Sequence, residues 1–386
     1  MKILISISLL SIAGALAQPP VAPTNEPVGS PRGDNYNNYN ITQSFELGYR
    51  FATTGGDFDM YRSTVNYTDG LRLLSSSLSI QSREGHGRWF DQILKGQTTG
   101  VLQEPPVRFF VMGGGDGSKT QTGRMEDGGA WVTSTAWPPP ASASHAYYLH
   151  ANGSLNEQMP GDEAASQYQF DPHHPVPTIG GQIDSGKNFS PDGPRNQKCD
   201  LKIPFCDNDL PLSSRPDVLV FQTPPLDSDT VVAGMITVDL WISSSAPDTD
   251  FTAKLVDVAP GNKDFPDGFA MNLEDRIVRV RLSPDRTKPQ LLQPGEVRKV
   301  SIDLLGVANR FKAGHRIRLD ISSSNFPFFD VNSNTGERPG YQTHMAIAMN
   351  TVYHDKDHPS HINLPILPAS AMTAQSGAAS TTTAGN

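Results

Sequence analysis

The sequence lacks a basic cluster, a long hydrophobic run beyond its first residues, and all but two cysteines. The formal net charge is −9, and the acidic residues are spread along the chain in the way that is typical of a solvated surface. The absence of a basic face argues against nucleic-acid binding. No segment after residue 17 is long and apolar enough to cross a membrane as a helix.

The two cysteines, Cys199 and Cys206, are close in sequence. A close pair in an exported protein can form a disulfide, and Pro204 favours a turn between them. Two free thiols are the alternative, because the sequence does not fix the separation of the Cα atoms. Neither cysteine has neighbours that indicate a nucleophile or a metal ligand.

Residues 1–17 have the pattern of a secretory signal peptide. Lys2 supplies the positive start, residues 3–10 the apolar stretch, and residues 15–17 the small-residue cleavage pattern. Cleavage would leave Gln18 as the new N-terminus. We therefore expect an exported protein that is periplasmic, extracellular or associated with an outer membrane, and an uncleaved N-terminal helix is the alternative.

Glycine (34 residues) and proline (32 residues) are both abundant, which favours many short strands joined by turns. Alternation of Phe45, Leu47 and Tyr49 with polar residues predicts a strand. Helical spacing of apolar residues predicts one short helix at residues 88–95. Further strands are predicted at residues 61–67, 71–82, 107–112, 146–150, 217–222, 231–242, 252–258, 277–282, 298–304, 316–322 and 345–352.

These patterns predict a mainly β protein whose principal domain is a jelly-roll or galactose-binding-like β-sandwich. A short strand-rich segment precedes it, and no α/β-hydrolase core is expected. The predicted segments are the signal peptide (1–17), a flexible leader (18–43), the strand-rich segment (44–87), a junction helix and loop (88–104), the sandwich (105–368) and a disordered tail (369–386).

Short sequence blocks that occur in a fixed order identify the sandwich. They are PPVRFFVMGGG (105–115), WPPP (137–140), YYLHANGSL (147–155), FDPHHPVPTIGG (170–181), RPDVLVFQTPPL (215–226), SSSAPDTDFTAKLVDVAP (243–260), PGEV (294–297), GHRIRLDISSSNFPFFDVNSNTG (314–336) and NTVYHDKDHPSHINLPILP (350–368). Together they resemble the C-terminal domain of the Xaa-Pro dipeptidyl-peptidase and cocaine-esterase (CocE/NonD) family, over about residues 88–368.

The resemblance implies a serine hydrolase family whose triad lies in a preceding α/β-hydrolase domain. Its nucleophile occupies a Gly-x-Ser-x-Gly elbow, and no such elbow occurs here. Ser154 has no following glycine, Ser118 is followed by Lys119, and residues 96–100 carry Thr98 at the centre. We therefore assign no catalytic residue, and whether the chain is an enzyme stays open.

Histidines and acidic residues were considered as a triad member or as metal ligands. His86 has no serine or acid partner and is interpreted as a surface residue. Pro359 interrupts the spacing of His358 and His361, and no calcium-loop pattern is complete. We therefore assign no metal and no cofactor. The other residues considered were His173 and His174 after Asp171, His354 and Asp355, and the loops 207–209 and 264–268.

Residues 37–93 resemble the first strands of a bacterial outer-membrane β-barrel. So few strands cannot close a barrel. The two resemblances meet near residues 89–95, which indicates a spliced or mis-assembled gene. A truncated hydrolase with a diverged N-terminus is the alternative.

Three functions follow from these patterns. The first is a family C-terminal domain that is inactive alone because the catalytic domain is absent. The second is a lectin-like binding module, for which Trp131, Trp137 and residues 326–329 are candidate platform residues. The third is an active hydrolase, either completed in trans by a separate catalytic α/β-hydrolase domain or using an unfamiliar site. The sequence leaves substrate, membrane association and oligomeric state open.

Overall fold

The computed structural model describes residues 34–36, 39–50, 70–82, 86–121, 123–182, 193–283, 285, 287–338, 340–368 and 370–371. These residues divide into two compact units, one within residues 34–101 and the other from residue 102 onward. The predicted signal peptide, the predicted strand at 61–67 and nearly all of the predicted tail lie outside the described residues.

The first unit contains a three-stranded antiparallel sheet and one helix. The sheet order is β1-β2-β3, and the helix is amphipathic, with Lys95 in its last turn. The helix begins two residues before the predicted start at residue 88. The elements are β1 (Asp34–Tyr36), β2 (Tyr39–Arg50), β3 (Gly70–Ser82) and α1 (His86–Lys95).

The strands of this unit begin earlier than the expected boundary at residue 44. β1 lies wholly within the expected flexible leader, 18–43, and β2 starts at Tyr39. The physical reason is visible in the sequence, because Tyr39 and Ile41 fall on the same alternation as Phe45, Leu47 and Tyr49, which only Gln43 interrupts.

The second unit is built from antiparallel strands, and no parallel sheet with covering helices occurs among its described residues. This confirms the predicted mainly β fold without an α/β-hydrolase core. Its strands are β4 (Val107–Val111), β5 (Ala130–Ser134), β6 (Ala143–Leu149), β7 (Leu155–Asn156), β8 (Ser166–Phe170), β9 (Leu219–Gln222), β10 (Thr230–Ser244), β11 (Asp250–Ala259), β12 (Phe269–Arg279), β13 (Arg298–Phe311), β14 (Arg316–Ser322), β15 (Ala348–Tyr353) and β16 (His361–Leu367).

The larger sheet has the order β7-β6-β16-β10-β15-β8, and β13 pairs with the other edge of β10. β10 is the longest strand, and it pairs with three neighbours. Ile236, Val238 and Leu240 are fully buried whereas Met235 is exposed, so the β-branched residues of this strand suit a pleated, half-buried surface. This strand therefore organises the sheet.

The smaller sheet has the order β12-β11-β14-β9 and packs face to face with the larger one. Ile317, Leu319 and Ile321 of β14 are fully buried on its inner face, as the alternation in the sequence predicts. Burying a side chain of this size contributes about 1.5–3 kcal/mol to stability. The largest fully buried side chains of the core are Phe170, Phe221, Phe251, Phe311, Leu149, Leu155, Ile236, Leu240, Ile242, Leu255, Leu292 and Ile302.

The opposite face of the smaller sheet is polar, yet it is also buried. Lys254 donates a hydrogen bond to Gln197 Oε1 at 2.6 Å, and Arg318 Nε lies 2.9 Å from Asp320 Oδ1. Burial lowers the pKa of Lys254. Because buried charges are costly without partners, this face depends on the segment around Gln197 that covers it.

The β4–β5 hairpin carries a long connection, residues 112–129, whose two arms stay hydrogen-bonded. Gly115 N donates to Asp127 O at 2.7 Å, and Gly117 N donates to Glu126 O at 3.0 Å. A Cβ at Gly115 would lie 2.3 Å from Glu126 O, so only glycine fits there. We call residues 113–128 the hairpin extension.

Candidate functional site

The serines considered from the sequence do not lie on a nucleophile elbow. Ser154 N donates to Asn152 Oδ1 at 3.0 Å in a tight turn, and Ser118 N donates to Asp116 Oδ1 at 2.8 Å. Thr98 lies in the loop after α1, and His86 is the first residue of that helix. Ser154 and Ser118 are therefore held in turns, and neither hydroxyl forms a hydrogen bond to a histidine among the described residues.

A Ser–His contact that the sequence analysis missed joins β8 to the end of β15. Ser166 Oγ and His354 Nε2 lie 2.9 Å apart, and His354 is fully buried. Its Nδ1 has no partner among the described residues, so none of their carboxylates orients the ring. Burial lowers the pKa of His354. The pair is a buried structural hydrogen bond between distant strands, which spacing in the sequence does not reveal.

An Asp–His pair, also missed, joins β11 to the segment before β14. His315 Nδ1 lies 2.7 Å from Asp257 Oδ1, and Asn309 Nδ2 donates to Asp257 Oδ2 at 3.1 Å. No serine, threonine or cysteine among the described residues bonds to the other ring nitrogen. The pair therefore has the acid and base of a triad without its nucleophile.

The histidines considered as metal ligands are bound to their own neighbours. His173 and His174 both contact the carboxylate of Asp171, whose pKa falls to about 2, mainly because it accepts the His173 backbone N–H. His358 contacts Asp355, and His361 Nδ1 lies 2.9 Å from Pro359 O. No group of three or more His, Cys, Asp or Glu side chains suited to a metal ion occurs in the described parts of the chain.

Cys199 and Cys206 form a disulfide whose Cα atoms are 5.5 Å apart. Both residues are buried in a small cluster with Val176, Ile179 and Leu212. The bridge therefore closes a loop in the segment that covers the polar face of the smaller sheet.

Rings proposed as a binding platform mostly pack against other side chains. Trp131 is 52% exposed, but the Arg108 guanidinium lies 4.7 Å above its ring. Trp137 packs edge-on against Phe109 at 5.0 Å. In the segment 326–329, two neighbouring phenylalanine rings lie 4.3 Å apart. A stacking platform needs a free ring face, so these positions favour packing.

Helix α1 presents an apolar surface that is partly exposed. Each of its four large apolar residues is about half exposed or more. Its polar side is internally satisfied, because Lys95 Nζ lies 2.6 Å from Asp91 Oδ1 and Gln92 Oε1 accepts a hydrogen bond from Thr99 N. Large exposed apolar surfaces of this kind mark interaction sites. We call Trp89, Phe90, Ile93 and Leu94 the helix face.

None of the described helices is long and apolar enough to span a membrane. The helix face is thus a short surface stripe on a ten-residue helix.

Comparison with known proteins identifies the sandwich. Residues 99–363 match the family described as the X-Pro dipeptidyl-peptidase C-terminal non-catalytic domain. Cocaine esterase of Rhodococcus sp. (strain MB1 Bresler) is 38% identical over 295 residues, which are 73% of this chain and 45% of that protein. A putative serine esterase of Mycobacterium bovis is 28% identical over 295 residues, 72% of this chain and 40% of that protein.

Solved structures agree with this comparison. An aminopeptidase from a marine-sediment Thaumarchaeota archaeon superposes with a TM-score of 0.57 at 26% identity, over 74% of this chain and 44% of that one. An α-amino acid ester hydrolase superposes with a TM-score of 0.54 at 27% identity, over 72% of this chain and 44% of that one. The chain thus spans less than half the length of these relatives. It belongs to the X-Pro dipeptidyl-peptidase C-terminal non-catalytic domain family and carries the C-terminal domain of CocE/NonD-family hydrolases.

Proposed function

We propose that this chain supplies the non-catalytic β-sandwich of a CocE/NonD-type serine hydrolase and docks through the helix face onto a catalytic α/β-hydrolase domain. The observation that carries the proposal is the partly exposed apolar surface of Trp89, Phe90, Ile93 and Leu94. An apolar helix stripe is stable in water only at a cost, so a partner that covers it would be favoured.

The size of the relatives supports a hydrolase domain as the partner. More than half of the Rhodococcus cocaine esterase lies outside the region that matches this chain. The relatives are named as esterases, an aminopeptidase and an ester hydrolase. The reaction served by the complex would accordingly be the hydrolysis of ester or peptide bonds, of the dipeptidyl-peptidase type in the family's wording.

We further propose that the chain alone has no hydrolase activity. The two contacts that resemble parts of a triad support this. Within the part of the chain that the structure describes, no acid contacts the Ser166–His354 pair and no nucleophile contacts the Asp257–His315 pair. A histidine without an orienting acid, or a histidine without a hydroxyl to activate, lacks part of what nucleophilic catalysis requires.

An activity assay on the purified chain tests this proposal. We expect no turnover of a Xaa-Pro-anilide or of a simple aryl ester, and no labelling by a fluorophosphonate, which reacts with activated serines. Turnover that survives purification would contradict the proposal. If it occurs, Ser166→Ala separates the buried Ser–His pair from a contaminant, because only activity from this chain would be lost with the substitution.

A binding assay tests the docking surface. Calorimetry with the portion of the Rhodococcus cocaine esterase that lies outside the match should show association with this chain. Ile93→Asp combined with Trp89→Asp should abolish it, because charges would replace apolar contacts. The control, Met159→Asp, places a charge at an exposed apolar side chain outside the helix face and should leave binding unchanged. Equal binding by all variants would rule out the helix face.

Two alternatives remain proposals with less support. The proposal of a lectin-like module is supported by the exposure of Trp131, but the Arg108 guanidinium already lies over one face of that ring. The proposal of a chimeric gene product is supported by two nearby boundaries. The boundary between the two units lies near residue 101, and the family match begins at residue 99. Long sequencing reads of the source DNA across codons 80–110 would show whether the join is contiguous.

We also propose that the protein is exported and functions in the periplasm, outside the cell or at an outer membrane. The signal-peptide pattern of residues 1–17 supports this. The Cys199–Cys206 disulfide is consistent with it, because disulfides persist mainly in oxidising compartments.

A further inference from the structure

A cavity of about 210 Å³ lies between the hairpin extension and the end of β13. It contains neither member of the Ser166–His354 pair. Its charged lining consists of Asp116, Glu126, Asp127 and Lys312, and His315 completes the set of titratable side chains.

Three parts of the chain build the cavity and hold one another in place. Asn262 Nδ2 donates to Gly117 O at 2.9 Å, which fixes the hairpin extension to the turn after β11. Lys312 Nζ donates to Gly115 O at 2.5 Å, which fixes it to the end of β13. The walls are therefore tied together before any ligand enters.

Hydrogen-bond acceptors dominate the free groups of the lining. Asp127 Oδ2 accepts from Gly113 N at 3.1 Å, and Oδ1 has no partner among the described residues. His315 donates its Nδ1 proton to Asp257, so in the neutral ring Nε2 carries a lone pair and accepts. No other described residue bonds to that nitrogen.

The charged groups of the lining carry an excess of negative charge. Three carboxylates face one ammonium, and that ammonium is already bound to the hairpin extension. Burial raises the pKa of Asp127, and the negative charge of Asp257 adds to this effect, while the hydrogen bond from the Gly113 backbone N–H opposes it. A positive group placed beside Asp127 would favour the charged carboxylate and so offset the effects of burial and of Asp257.

We propose that this cavity binds a small organic cation with N–H donors, an ammonium or a guanidinium. Such groups only donate hydrogen bonds, so they match the free acceptors Asp127 Oδ1 and His315 Nε2. A metal ion fits less well, because the described residues contain no group of three or more His, Cys, Asp or Glu side chains suited to one. The inference does not depend on docking to a catalytic domain.

Calorimetric titration of the full-length protein with methylguanidinium tests the inference. We expect saturable binding at one site and no binding of tetramethylammonium, which has the same charge but no N–H donor. Asp127→Asn should weaken methylguanidinium binding about 10-fold or more, as expected for the loss of a charge-assisted hydrogen bond. The control Asp162→Asn removes an exposed carboxylate outside the lining and should have no effect.

A second measurement on the unmodified protein is needed, because Asp127→Asn could weaken binding by disrupting the hairpin extension. The imidazole NMR signals of His315, assigned with His315→Gln, should shift on addition of methylguanidinium to the unmodified protein. Absence of saturable binding would overturn the inference. So would equal binding of the two probes, or a binding isotherm that does not change in Asp127→Asn, because each would indicate general charge attraction.

Discussion

Buried polar side chains in this sandwich depend on specific partners. Asp248 is fully buried, and its carboxylate accepts hydrogen bonds from Arg281 Nε at 2.8 Å and from the Arg281 backbone N–H at 3.1 Å. Asn332 Nδ2 donates to both Asp248 and Asp250 at 2.7 Å. A buried ion pair need not stabilise the fold, but removing one partner leaves an uncompensated charge.

Asp248→Ala is therefore predicted to lower the free energy of unfolding by about 3–5 kcal/mol. Urea denaturation at neutral pH measures this quantity. Asp330→Ala is the matched control, because Asp330 also pairs with an arginine, Arg279, but is 59% exposed. Its loss should cost less than about 1 kcal/mol. Similar losses in the two variants would contradict this account of burial.

The buried side chain of His354 should make the free energy of unfolding depend on pH. Burial lowers its folded-state pKa and His150 adds to this, while Glu163 and Asp355 oppose it. The unfolded chain has the ordinary value of 6.5, so below this pH the unfolded state takes up a proton more readily than the folded state. The contribution of His354 is present above pH 6.5 and is lost as the pH falls toward the lowered folded-state value.

The free energy of unfolding should therefore decrease between pH 7 and pH 5, and His354→Gln should show a shallower decrease. His173→Gln is the control, because that side chain is 63% exposed and should not change the slope. Identical slopes in all three proteins would show that His354 does not contribute.

Among the elements, the hairpin extension depends most directly on small side chains. At Gly115 a Cβ would lie 2.4 Å from Asp127 C and closer still to Glu126 O. Gly115→Ala should separate the two arms and lower stability by about 1–3 kcal/mol. Gly161→Ala, at a glycine with open space around it, should be nearly neutral. Thermal unfolding compares the two variants, and equal effects would contradict this explanation.

Elements with a clear hydrophobic period were predictable from the sequence. The alternation over residues 316–322 predicts β14 with its bounds unchanged, and the helical spacing around Trp89 predicts α1 to within two residues. The 277–282 prediction was less accurate, because the strand ends at Arg279 and a 3-10 turn over Val280–Leu282 follows. Local periodicity does not distinguish a strand end from such a turn.

Contacts between distant strands were not predictable. Ser166 and His354 are 188 residues apart, and Asp257 and His315 are 58 apart. Their proximity follows from sheet order, which a single sequence does not specify. The helix face, by contrast, was visible as an apolar stripe, but its exposure was not, because exposure depends on what the rest of the chain covers.

For the molecule as a whole, the proposed export would give a defined mature N-terminus. Protein recovered from the periplasm or the medium should begin at Gln18, because the cleavage pattern ends at residue 17. Intact-mass measurement without reduction would detect both the cleavage and the disulfide, which lowers the mass by two hydrogens. A recovered chain that still begins at Met1 would contradict the predicted cleavage.

The position of β16 constrains how this molecule is synthesised. The strand covers His361–Leu367, and it lies between β6 and β10 in the larger sheet. One edge of β6 (residues 143–149) therefore pairs with a strand that is synthesised more than 200 residues later. Until β16 has been made, this edge of β6 stays unpaired in the nascent chain and can associate with other chains, so the larger sheet cannot be completed before residue 367 is synthesised.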